Sequence, residues 1–375
     1  MKPAKLCGDK RIMIFWDITK TVKAKAYSGL TRVSRRLLEA LNAEGVQVQS
    51  CRWSAKRGQP MAADGSVPGK GDCWITPELF SEEENPGLER WLGETAATTV
   101  ALYHDAIPLR HPEFTWPKSV ARHPFYMKLL ACCDGVLANS EASRSELLAY
   151  WEWAGIGRMP PVEAIPLGAD FLGDSRVVAA SPEVCRPVRL LMTGILEPRK
   201  NHALVLDACA LLSKWNVPWE LDLVGRVNPH FGKPILQRIK SSIREGAPLR
   251  YHGQVSDLAL RALYQETHLT LFPSLAEGNG LPVIESMWQG KPCLCSPLAC
   301  HREHADMGGM RLIEPMQAMR LAEEIRRYQE DGAFRAALAS ELLSRSLPTW
   351  KESASELVLK LQGFSRATKN RSSNP

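Results

Sequence analysis

The sequence lacks three features that are each typical of a particular class of protein. It has no uninterrupted apolar run of the roughly 18 residues that a membrane-spanning helix needs, and its apolar run at 12–16 ends at Asp17. Its 10 cysteines include no CxxC pair and no second ligand pair at zinc-finger spacing. Its first predicted strand is not followed by G-x-G-x-x-G, which argues against a dinucleotide-dependent oxidoreductase or epimerase.

Length and composition predict two folded domains. The chain has 375 residues, of which 45% are apolar, and a single hydrophobic core stops growing at roughly 250–300 residues. The same composition excludes a disordered chain and a small disulfide-stabilised protein. Because the cysteines are scattered through a large chain without regular spacing, we expect reduced thiols and a cytoplasmic protein.

Positive charge is concentrated near the beginning of the sequence. Lys plus Arg outnumber Asp plus Glu by 13 to 4 over residues 1–60, a net +9, whereas residues 61–100 have 2 against 8, a net −6. Arg32, Arg35 and Arg36 lie on one face of a predicted helix. Such a patch serves nucleic acid, an anionic membrane or a phosphorylated substrate, or is simply a solvated face. We do not expect nucleic acid, because the helix face lacks interleaved aromatic residues.

Strand and helix patterns alternate in the first half of the chain. Apolar runs predict strands at 11–18, 46–51, 99–103, 135–138 and 162–165, and helical spacing predicts helices from residue 30 to Gly45 and around 118–131 and 141–151. Residues 54–72 have the Gly- and Pro-rich composition of a loop. The alternation favours a parallel sheet.

The alternation restarts at about Pro187 and predicts a second α/β domain. The strands are predicted at 189–193, 220–224, 249–252, 269–272 and 292–295, and the helices at 202–214, 234–244, 258–267, 282–289, 316–330, 332–346 and 350–361. Residues 171–187 contain few apolar residues and are the predicted linker between the domains.

The stretch PSLAEGNGLPVIE, from Pro273 to Glu285, is the first candidate site. A strand ends, a turn bracketed by Gly278 and Gly280 follows, and a helix begins with a proline in its first turn. Backbone amides at such a helix start face an anion such as a diphosphate. Glu277 and Glu285 border this start, and carboxylates suit the paired hydroxyls of a ribose or hexose. A helix cap with an ordinary surface glutamate is the alternative.

The stretch GILEPRKN, from Gly194 to Asn201, is the second candidate site. Arg199 and Lys200 adjoin a glycine turn between a strand and a helix, and the pair suits a pyrophosphate because guanidinium binds bidentately and ammonium as a point charge. An Arg-Lys pair alone is more often a solvated turn. We expect both loops at one edge of the same sheet, which favours phosphate binding.

These stretches resemble the retaining glycosyltransferases of family 4, which have the GT-B fold. EGNGLPVIE, GILEPRKN and YHGQVSDLALRALYQETHLTLFPS are similar to the C-terminal domain of that family, and SGLTRVSRRLL, ALYHDAIPLRHPEF, LANSEASRSEL and IPLGAD to its N-terminal domain. The HDxxPL and GxLEPRKN motifs resemble the bacterial mannosyltransferase-like branch that builds O-antigen or exopolysaccharide chains. The resemblance covers nearly the whole chain.

The resemblance implies an α/β architecture of two Rossmann-like domains that face each other across a cleft near residues 171–187. The implied parts are an acceptor-side domain at 1–175, a nucleotide-sugar domain at 176–348, a helix at 349–364 that crosses back to the N-terminal domain, and a flexible tail at 365–375. The acceptor or membrane side would carry Arg32, Arg35 and Arg36.

The resemblance also implies the roles of individual residues. The residues implied to bind the donor are Gly29, Gly194, Arg199, Lys200, Glu277, Gly278, Asn279, Gly280, Leu281 and Glu285, and those implied to be catalytic are Glu277, His104, Arg199 and Lys200. Glu277 would approach the sugar hydroxyls, Glu285 the ribose, and Arg199 with Lys200 the diphosphate. His104 would face the transferred sugar or the acceptor. Asp105 would orient His104 or form a tight turn.

The sequence departs from the family pattern at two positions. Asn279 stands where the family commonly has Phe, which puts the sugar preference in doubt, and Ile195 stands where many members have Arg. No metal or other cofactor is expected, because the cations and the helix start supply positive charge. The strongest opposing signal is a set of soft ligands: Cys293, Cys295, Cys300, His301 and His304.

The resulting expectation is a retaining glycosyltransferase, with mannosyl transfer from GDP-mannose to a lipid-linked or oligosaccharide acceptor at the cytoplasmic membrane face as the leading hypothesis. Another GDP- or UDP-hexose, such as a rhamnosyl or glucosyl donor, is the alternative substrate. A non-catalytic sugar-nucleotide or glycan binding protein is the alternative from another class. The basic patch would then serve an anionic membrane surface or a lipid diphosphate.

Overall fold

The computed structural model describes residues 12–23, 29–170, 173–178 and 186–371, with side chains as far as residue 364. The chain divides into two compact units, each with one β-sheet. The first unit contains residues 1–104, 121–167 and 350–375, and the second contains 105–120 and 168–349.

Strands alternate with helices through most of the chain. The strands are β1 (Ile14–Asp17), β2 (Val48–Ser54), β3 (Gln59–Ala62), β4 (Cys73–Thr76), β5 (Thr98–Tyr103), β6 (Gly135–Ala138), β7 (Val162–Ala164), β8 (Val188–Thr193), β9 (Trp219–Val224), β10 (Leu249–Gly253), β11 (Leu269–Phe272), β12 (Cys293–Cys295) and β13 (Met310–Leu312).

The helices connect successive strands and extend to the end of the described chain. They are α1 (Gly29–Ala43), α2 (Leu88–Glu94), α3 (Ile107–Arg110), α4 (Pro117–Leu130), α5 (Glu141–Trp153), α6 (His202–Lys214), α7 (Lys233–Arg244), α8 (Asp257–Glu266), α9 (Leu281–Trp288), α10 (Ala299–Ala305), α11 (Ala318–Glu330), α12 (Gly332–Ser344) and α13 (Trp350–Arg371).

The first unit is built on a seven-stranded sheet in the order β3-β2-β1-β4-β5-β6-β7. All neighbours are parallel except β2 and β3. Strand β1 pairs on both sides, with Ile14 opposite Val48 and Cys73, and all four of its residues are buried. Burial on both faces explains why this strand is a continuous apolar run. The predicted parallel sheet is confirmed.

The loop predicted at 54–72 is wrong in part, because it contains the antiparallel edge strand β3. Pro60 lies opposite Trp53 in the register of β2 and β3. A proline is tolerated on an edge strand, where its missing N–H leaves no ladder bond unmade. The Gly- and Pro-rich composition that predicted a loop is therefore compatible with this edge strand.

Helix α13 packs against α1 and β5 within the first unit. The ring of Phe364 lies so close to Gly135 that a Cβ at this glycine would come within 2.6 Å of it. Lys360 Nζ contacts the Glu163 carboxylate at 2.9 Å. The predicted final helix at 350–361 is thus present, and it belongs to the first unit.

The second unit contains a six-stranded, fully parallel sheet in the order β10-β9-β8-β11-β12-β13. The strands and helices predicted for this half agree with it. Helix α10 and strand β13 were not predicted, because each is short and lacks a clear apolar period.

Parts of two predicted segments fall outside the described residues. Of the predicted linker 171–187, the structure describes 173–178, which belong to the second unit, and the last two residues. Of the predicted tail 365–375, it describes only backbone as far as Arg371. Among the described residues, no helix combines the length and the apolarity needed to cross a membrane.

Candidate functional site

Strands β8 and β11 are neighbours from which the second sheet extends in opposite directions. Ligands of open parallel sheets bind outside the carboxyl ends of two such strands, where the topology switches direction. Residues 194–201 follow β8, and residues 273–280 follow β11. The two sequence motifs therefore meet at the edge of the sheet where ligand binding is expected.

Two glycines allow the loop after β8 to pass close to the end of β9. Gly194 has a φ of 149°, which a residue with a side chain rarely adopts. Its N–H donates to the Val224 carbonyl at 2.8 Å. A Cβ on Gly225 would lie only 1.8 Å from the Gly194 carbonyl oxygen. The backbone conformation of Gly194 thus requires glycine in the GILEPRKN motif, and the close approach of the two chains requires glycine at position 225.

Arg199 lies between two carboxylates. Its Nη1 donates to Glu277 Oε2 and to the Ala276 carbonyl, both at 2.9 Å. On the other side, its Nε and Nη2 contact Glu197 Oε1 at 2.9 and 2.8 Å. Asn228 Nδ2 donates to the second Glu197 oxygen at 2.9 Å. Glu197 and Asn228 are site residues that sequence reasoning missed, although Glu197 stands in the quoted motif.

Lys200 donates to the other oxygen of Glu277. The side chains of both residues are about nine-tenths buried, with 10% and 11% of their surface exposed. The aliphatic part of Lys200 fills the space beside Gly194, where a Cβ would lie 3.4 Å from Lys200 Cδ. The structure thus brings together Arg199, Lys200 and Glu277, as the motifs predicted.

The cluster strongly favours the ionised form of Glu277. Burial would raise the pKa of this carboxyl, but Lys200 and Arg199 hold it well below its usual range. Burial would lower the pKa of Arg199, but Glu277 and Glu197 raise it above its usual value. Burial lowers the pKa of Lys200, and Arg199 adds to this effect while Glu277 opposes it. Glu277 is therefore ionised while it is paired with these two cations.

Helix α9 begins directly after the Glu277 loop. Gly280 has a φ of 86°, in the left-handed region that favours glycine, and a proline stands in the first turn. The first N–H groups of a helix have no acceptor within the helix and carry a partial positive charge. Asn279, Leu281 and Glu285 are all buried around this start. The arrangement is suited to an anion.

The structure places the predicted catalytic histidine in the first unit. His104 follows β5, is 5% exposed, and its Nε2 lies 2.8 Å from the Pro77 carbonyl oxygen, to which it donates. Its own carbonyl accepts from Ser143 Oγ at 2.8 Å. Asp105 Oδ1 accepts from the Ile107 N–H at 3.0 Å, which is the turn geometry considered for this residue.

The other predicted residues of the first unit lie on α1. Gly29 is its first residue, and a Cβ there would meet nothing within 4 Å. Arg32, Arg35 and Arg36 lie on the face away from the buried side of this helix, and Arg36 Nη1 contacts Glu39 at 3.1 Å. Residues 24–28, which connect β1 to α1, lie outside the described residues.

Two acidic residues accept hydrogen bonds from the backbone of residues 19–21, which follow β1. The Thr19 N–H donates to Asp17 at 3.0 Å, and the N–H groups of Lys20 and Thr21 donate to Glu78 at 2.6 and 2.5 Å. Burial raises the pKa of both carboxyls, although the hydrogen bonds act in the opposite direction. Asp17 ends β1 and Glu78 follows β4, the pair of strands at which the first sheet switches direction, and sequence reasoning assigned these two residues no role.

The five soft ligands considered for zinc lie on two successive elements of the fold. Cys293 and Cys295 are buried within β12, while Cys300, His301 and His304 lie on α10. In the described part of the chain, no three His, Cys, Asp or Glu side chains are arranged to hold a metal ion. The residues on α10 instead approach the Glu277 loop: Cys300 Sγ donates to the Glu277 carbonyl at 3.6 Å.

Two solved structures share this architecture over almost the whole chain. Sucrose-phosphate synthase from Thermosynechococcus elongatus matches with a TM-score of 0.71 at 18% identity, over 95% of this chain and 100% of that one. Anabaena HepE in complex with UDP and glucose matches with a TM-score of 0.69 at 16% identity, over 94% and 99%. The chain has the GT-B fold. At these identities, the GT-B likeness shows the fold alone.

Sequence comparison adds a family match in the second GT-B unit. Residues 180–342 match the model described as Glycosyl transferases group 1. The serotype-specific mannosyltransferase WbdA of Escherichia coli is 24% identical over 94% of this chain and 45% of its own length. The O-antigen chain mannosyltransferase B of Escherichia coli is 26% identical over 72% of each chain. The chain spans about half the length of WbdA. These matches support a GT-B glycosyltransferase.

Proposed function

We propose that the chain is a retaining glycosyltransferase that transfers a hexosyl group from a nucleotide sugar, with mannosyl from GDP-mannose as the leading donor. The observation that carries the proposal is the meeting of Arg199, Lys200 and Glu277 beside the start of α9. Cations and the positive end of a helix suit a diphosphate, and a carboxylate suits sugar hydroxyls. The mannosyltransferases WbdA and O-antigen chain mannosyltransferase B support the choice of sugar.

On this proposal, the fixed positive charge stabilises the departing nucleoside diphosphate. Arg199 and Lys200 are positioned side by side at the ends of β8 and β11, so that their positive charge is in place before charge develops on the leaving oxygen. A diphosphate leaving group needs no strong general acid, which agrees with an ionised Glu277. Glu277 then accepts hydrogen bonds from the sugar hydroxyls.

The transfer is proposed to retain configuration through departure and attack on the same face of the sugar. The departing phosphate oxygen takes the proton of the incoming hydroxyl while the new glycosidic bond forms. The alternative is a covalent glycosyl-enzyme intermediate on Glu277. Mass spectrometry of protein quenched during turnover distinguishes the two, because a hexosyl adduct on Glu277 contradicts same-face transfer.

The acceptor is proposed to be a lipid-linked or oligosaccharide chain of a cell-surface polysaccharide, at the inner face of the cytoplasmic membrane. Arg32, Arg35 and Arg36 on the exposed side of α1 support an anionic surface as a partner. The proposal requires no metal and no nucleic acid. Because no metal is required, we expect full activity after exhaustive chelation.

A donor panel tests the function. Protein is incubated with GDP-mannose, GDP-rhamnose, GDP-fucose, UDP-glucose or UDP-N-acetylglucosamine and a crude lipid-linked glycan, and nucleoside diphosphate release is measured. We expect one donor to dominate and Glu277→Ala to abolish its turnover. Glu266→Gln, at an exposed carboxylate of the same unit, is the matched control. Binding of a nucleotide sugar without turnover would favour a non-catalytic binding protein.

A further inference from the structure

The segment Ser296–His304, which follows β12, packs against the backbone of the Glu277 loop. Ser296 Oγ donates to the Ser274 carbonyl at 2.5 Å, and Cys300 Sγ donates to the Glu277 carbonyl at 3.6 Å. His304 hydrogen-bonds to the backbone of Asn279. Successive residues of this segment therefore contact successive parts of the loop that carries Glu277.

His301 lies in the middle of this segment with a defined protonation state. Its Nδ1 lies 2.8 Å from the Ser296 carbonyl oxygen, and because a carbonyl only accepts, Nδ1 carries the hydrogen. Burial lowers the pKa of His301, and the ring is 1% exposed. The neutral ring therefore has its lone pair on Nε2, and this atom has no hydrogen-bond partner among the described residues.

The ring of His301 occupies the place where residue 280 would carry a side chain. A Cβ on Gly280 would lie 2.8 Å from Cδ2 and 2.9 Å from Nε2 of His301. Real Cβ atoms essentially never come so close to another heavy atom. The ring thus limits how closely the turn before α9 can approach α10.

We propose that His301 is a positioning residue of the donor site, whose ring holds the turn at Gly280 so that the N-terminal end of α9 faces the diphosphate of a nucleotide sugar. This inference rests on the proposed function. The hydrogen bond to Ser296 fixes the plane of the ring, and the contact with Gly280 transmits that position to the turn. Burial lowers the pKa of the ring and Lys200 acts in the same direction, whereas Glu277 and the hydrogen bond to Ser296 oppose this effect.

Calorimetric titration with GDP and UDP tests the role without an acceptor. In His301→Ala we expect roughly tenfold weaker binding of whichever nucleotide the wild type binds, comparable to the loss of a partly buried helix-terminus interaction. His301→Asn keeps an N–H that can donate to Ser296 and should fall between Ala and wild type. His268→Asn, in a half-buried histidine whose Nδ1 accepts from the Arg189 N–H at 3.0 Å, is the control and should bind normally.

A double-mutant cycle with Gly280→Ala tests the contact itself. The strain of an alanine at a φ of 86° is present in both backgrounds and cancels, whereas the clash with His301 is present only in the wild-type background. The factor by which Gly280→Ala raises the dissociation constant should therefore be several-fold smaller in the His301→Ala background than in the wild type.

The outcomes separate this inference from the proposed function. A wild type that binds neither GDP nor UDP overturns the proposed function and this inference with it. A wild type that binds, with an equal dissociation constant in His301→Ala, overturns this inference alone. A lower stoichiometry at an unchanged dissociation constant, or strict additivity in the cycle, would assign His301 to folding only and would also overturn it.

Discussion

Arg199 donates from Nη1 to Glu277 Oε2 at 2.9 Å, and the side chains are 20% and 11% exposed. With Glu197 on the other side of Arg199 and Lys200 on the other oxygen of Glu277, two cations face two carboxylates. The formal charge of the cluster is therefore zero. On the proposed function, a diphosphate would compete with Glu277 for the cations and would release Glu277 toward the sugar.

Glu277→Gln separates binding from turnover. Because the substitution releases Arg199 and Lys200 from a carboxylate, we expect nucleoside diphosphate to bind at least as tightly as in the wild type, while kcat falls about a hundredfold. Titration calorimetry and initial rates measure the two effects. Leaving two buried cations with one carboxylate should also destabilise the fold by about 3–5 kcal/mol, seen in urea unfolding. Unchanged kcat would contradict the assignment.

Gly225→Ala should disrupt the loop that carries Arg199 and Lys200. The added Cβ would lie 1.8 Å from the Gly194 carbonyl oxygen, which is backbone and cannot rotate away. We expect destabilisation of about 3 kcal/mol or more and loss of nucleotide binding. Gly246→Ala is the matched control: its φ is 87°, but its Cβ would meet nothing within 4 Å. It should cost about 1 kcal/mol and leave binding intact. Equal effects of the two would contradict the packing argument.

His202 makes stability depend on pH. Burial lowers its pKa from 6.5 to about 3, and Lys200 adds to this effect. Below pH 6.5 the unfolded chain binds a proton that the folded chain does not, so the free energy of unfolding falls on acidification by at most about 1.4 kcal/mol per pH unit. Above pH 6.5 there is no effect. His202→Leu should flatten the dependence between pH 6.5 and 4.5, measured by urea unfolding; an unchanged slope would refute it.

Arg345 is buried and donates to backbone carbonyls. Its Nη1 contacts the carbonyl oxygens of His304 at 3.0 Å and Gly308 at 2.5 Å. Burial lowers its pKa to about 10, and Arg176 acts in the same direction. Arg345→Met would leave these carbonyls without a donor, so we expect a loss of about 2–4 kcal/mol in the free energy of unfolding. Arg320→Met, at a half-exposed arginine, should change it by less than about 0.5 kcal/mol.

The meeting of the two site loops could be predicted from the sequence because it follows from topology. Parallel strands end at one edge, so loops that follow apolar strands lie together whatever their side chains. Arg199, Lys200 and Glu277 were found in this way. Their mutual pairing was not, since an Arg-Lys pair beside a glycine is compatible with either a phosphate or a carboxylate as its partner.

The support beneath the Glu277 loop could not be predicted. His301, Cys300 and Ser296 come from the next connection in the sheet, and their contacts depend on the depth at which α10 packs. Cysteine and histidine in one short segment raised metal ligation as an alternative to packing, and neither interpretation specifies these contacts. The assignment of residues 105–120 to the second unit could not be predicted either. The strand before them belongs to the first unit, and contacts between residues far apart in the sequence leave no periodic pattern in it.

Replacing Arg32, Arg35 and Arg36 by glutamine tests the membrane surface. Each basic residue near an anionic bilayer contributes about 1 kcal/mol, so we expect binding to phosphatidylglycerol-containing vesicles to weaken ten- to a hundredfold, the lower figure reflecting the contact of Arg36 with Glu39. Vesicle sedimentation at low and high salt measures the effect, which should disappear at high salt because exposed charges are screened. Lys233, Lys240 and Arg244, exposed on α7, provide a control with the same loss of charge. If both triple variants bind alike, the patch on α1 is only a solvated face and the net charge of the chain accounts for the binding.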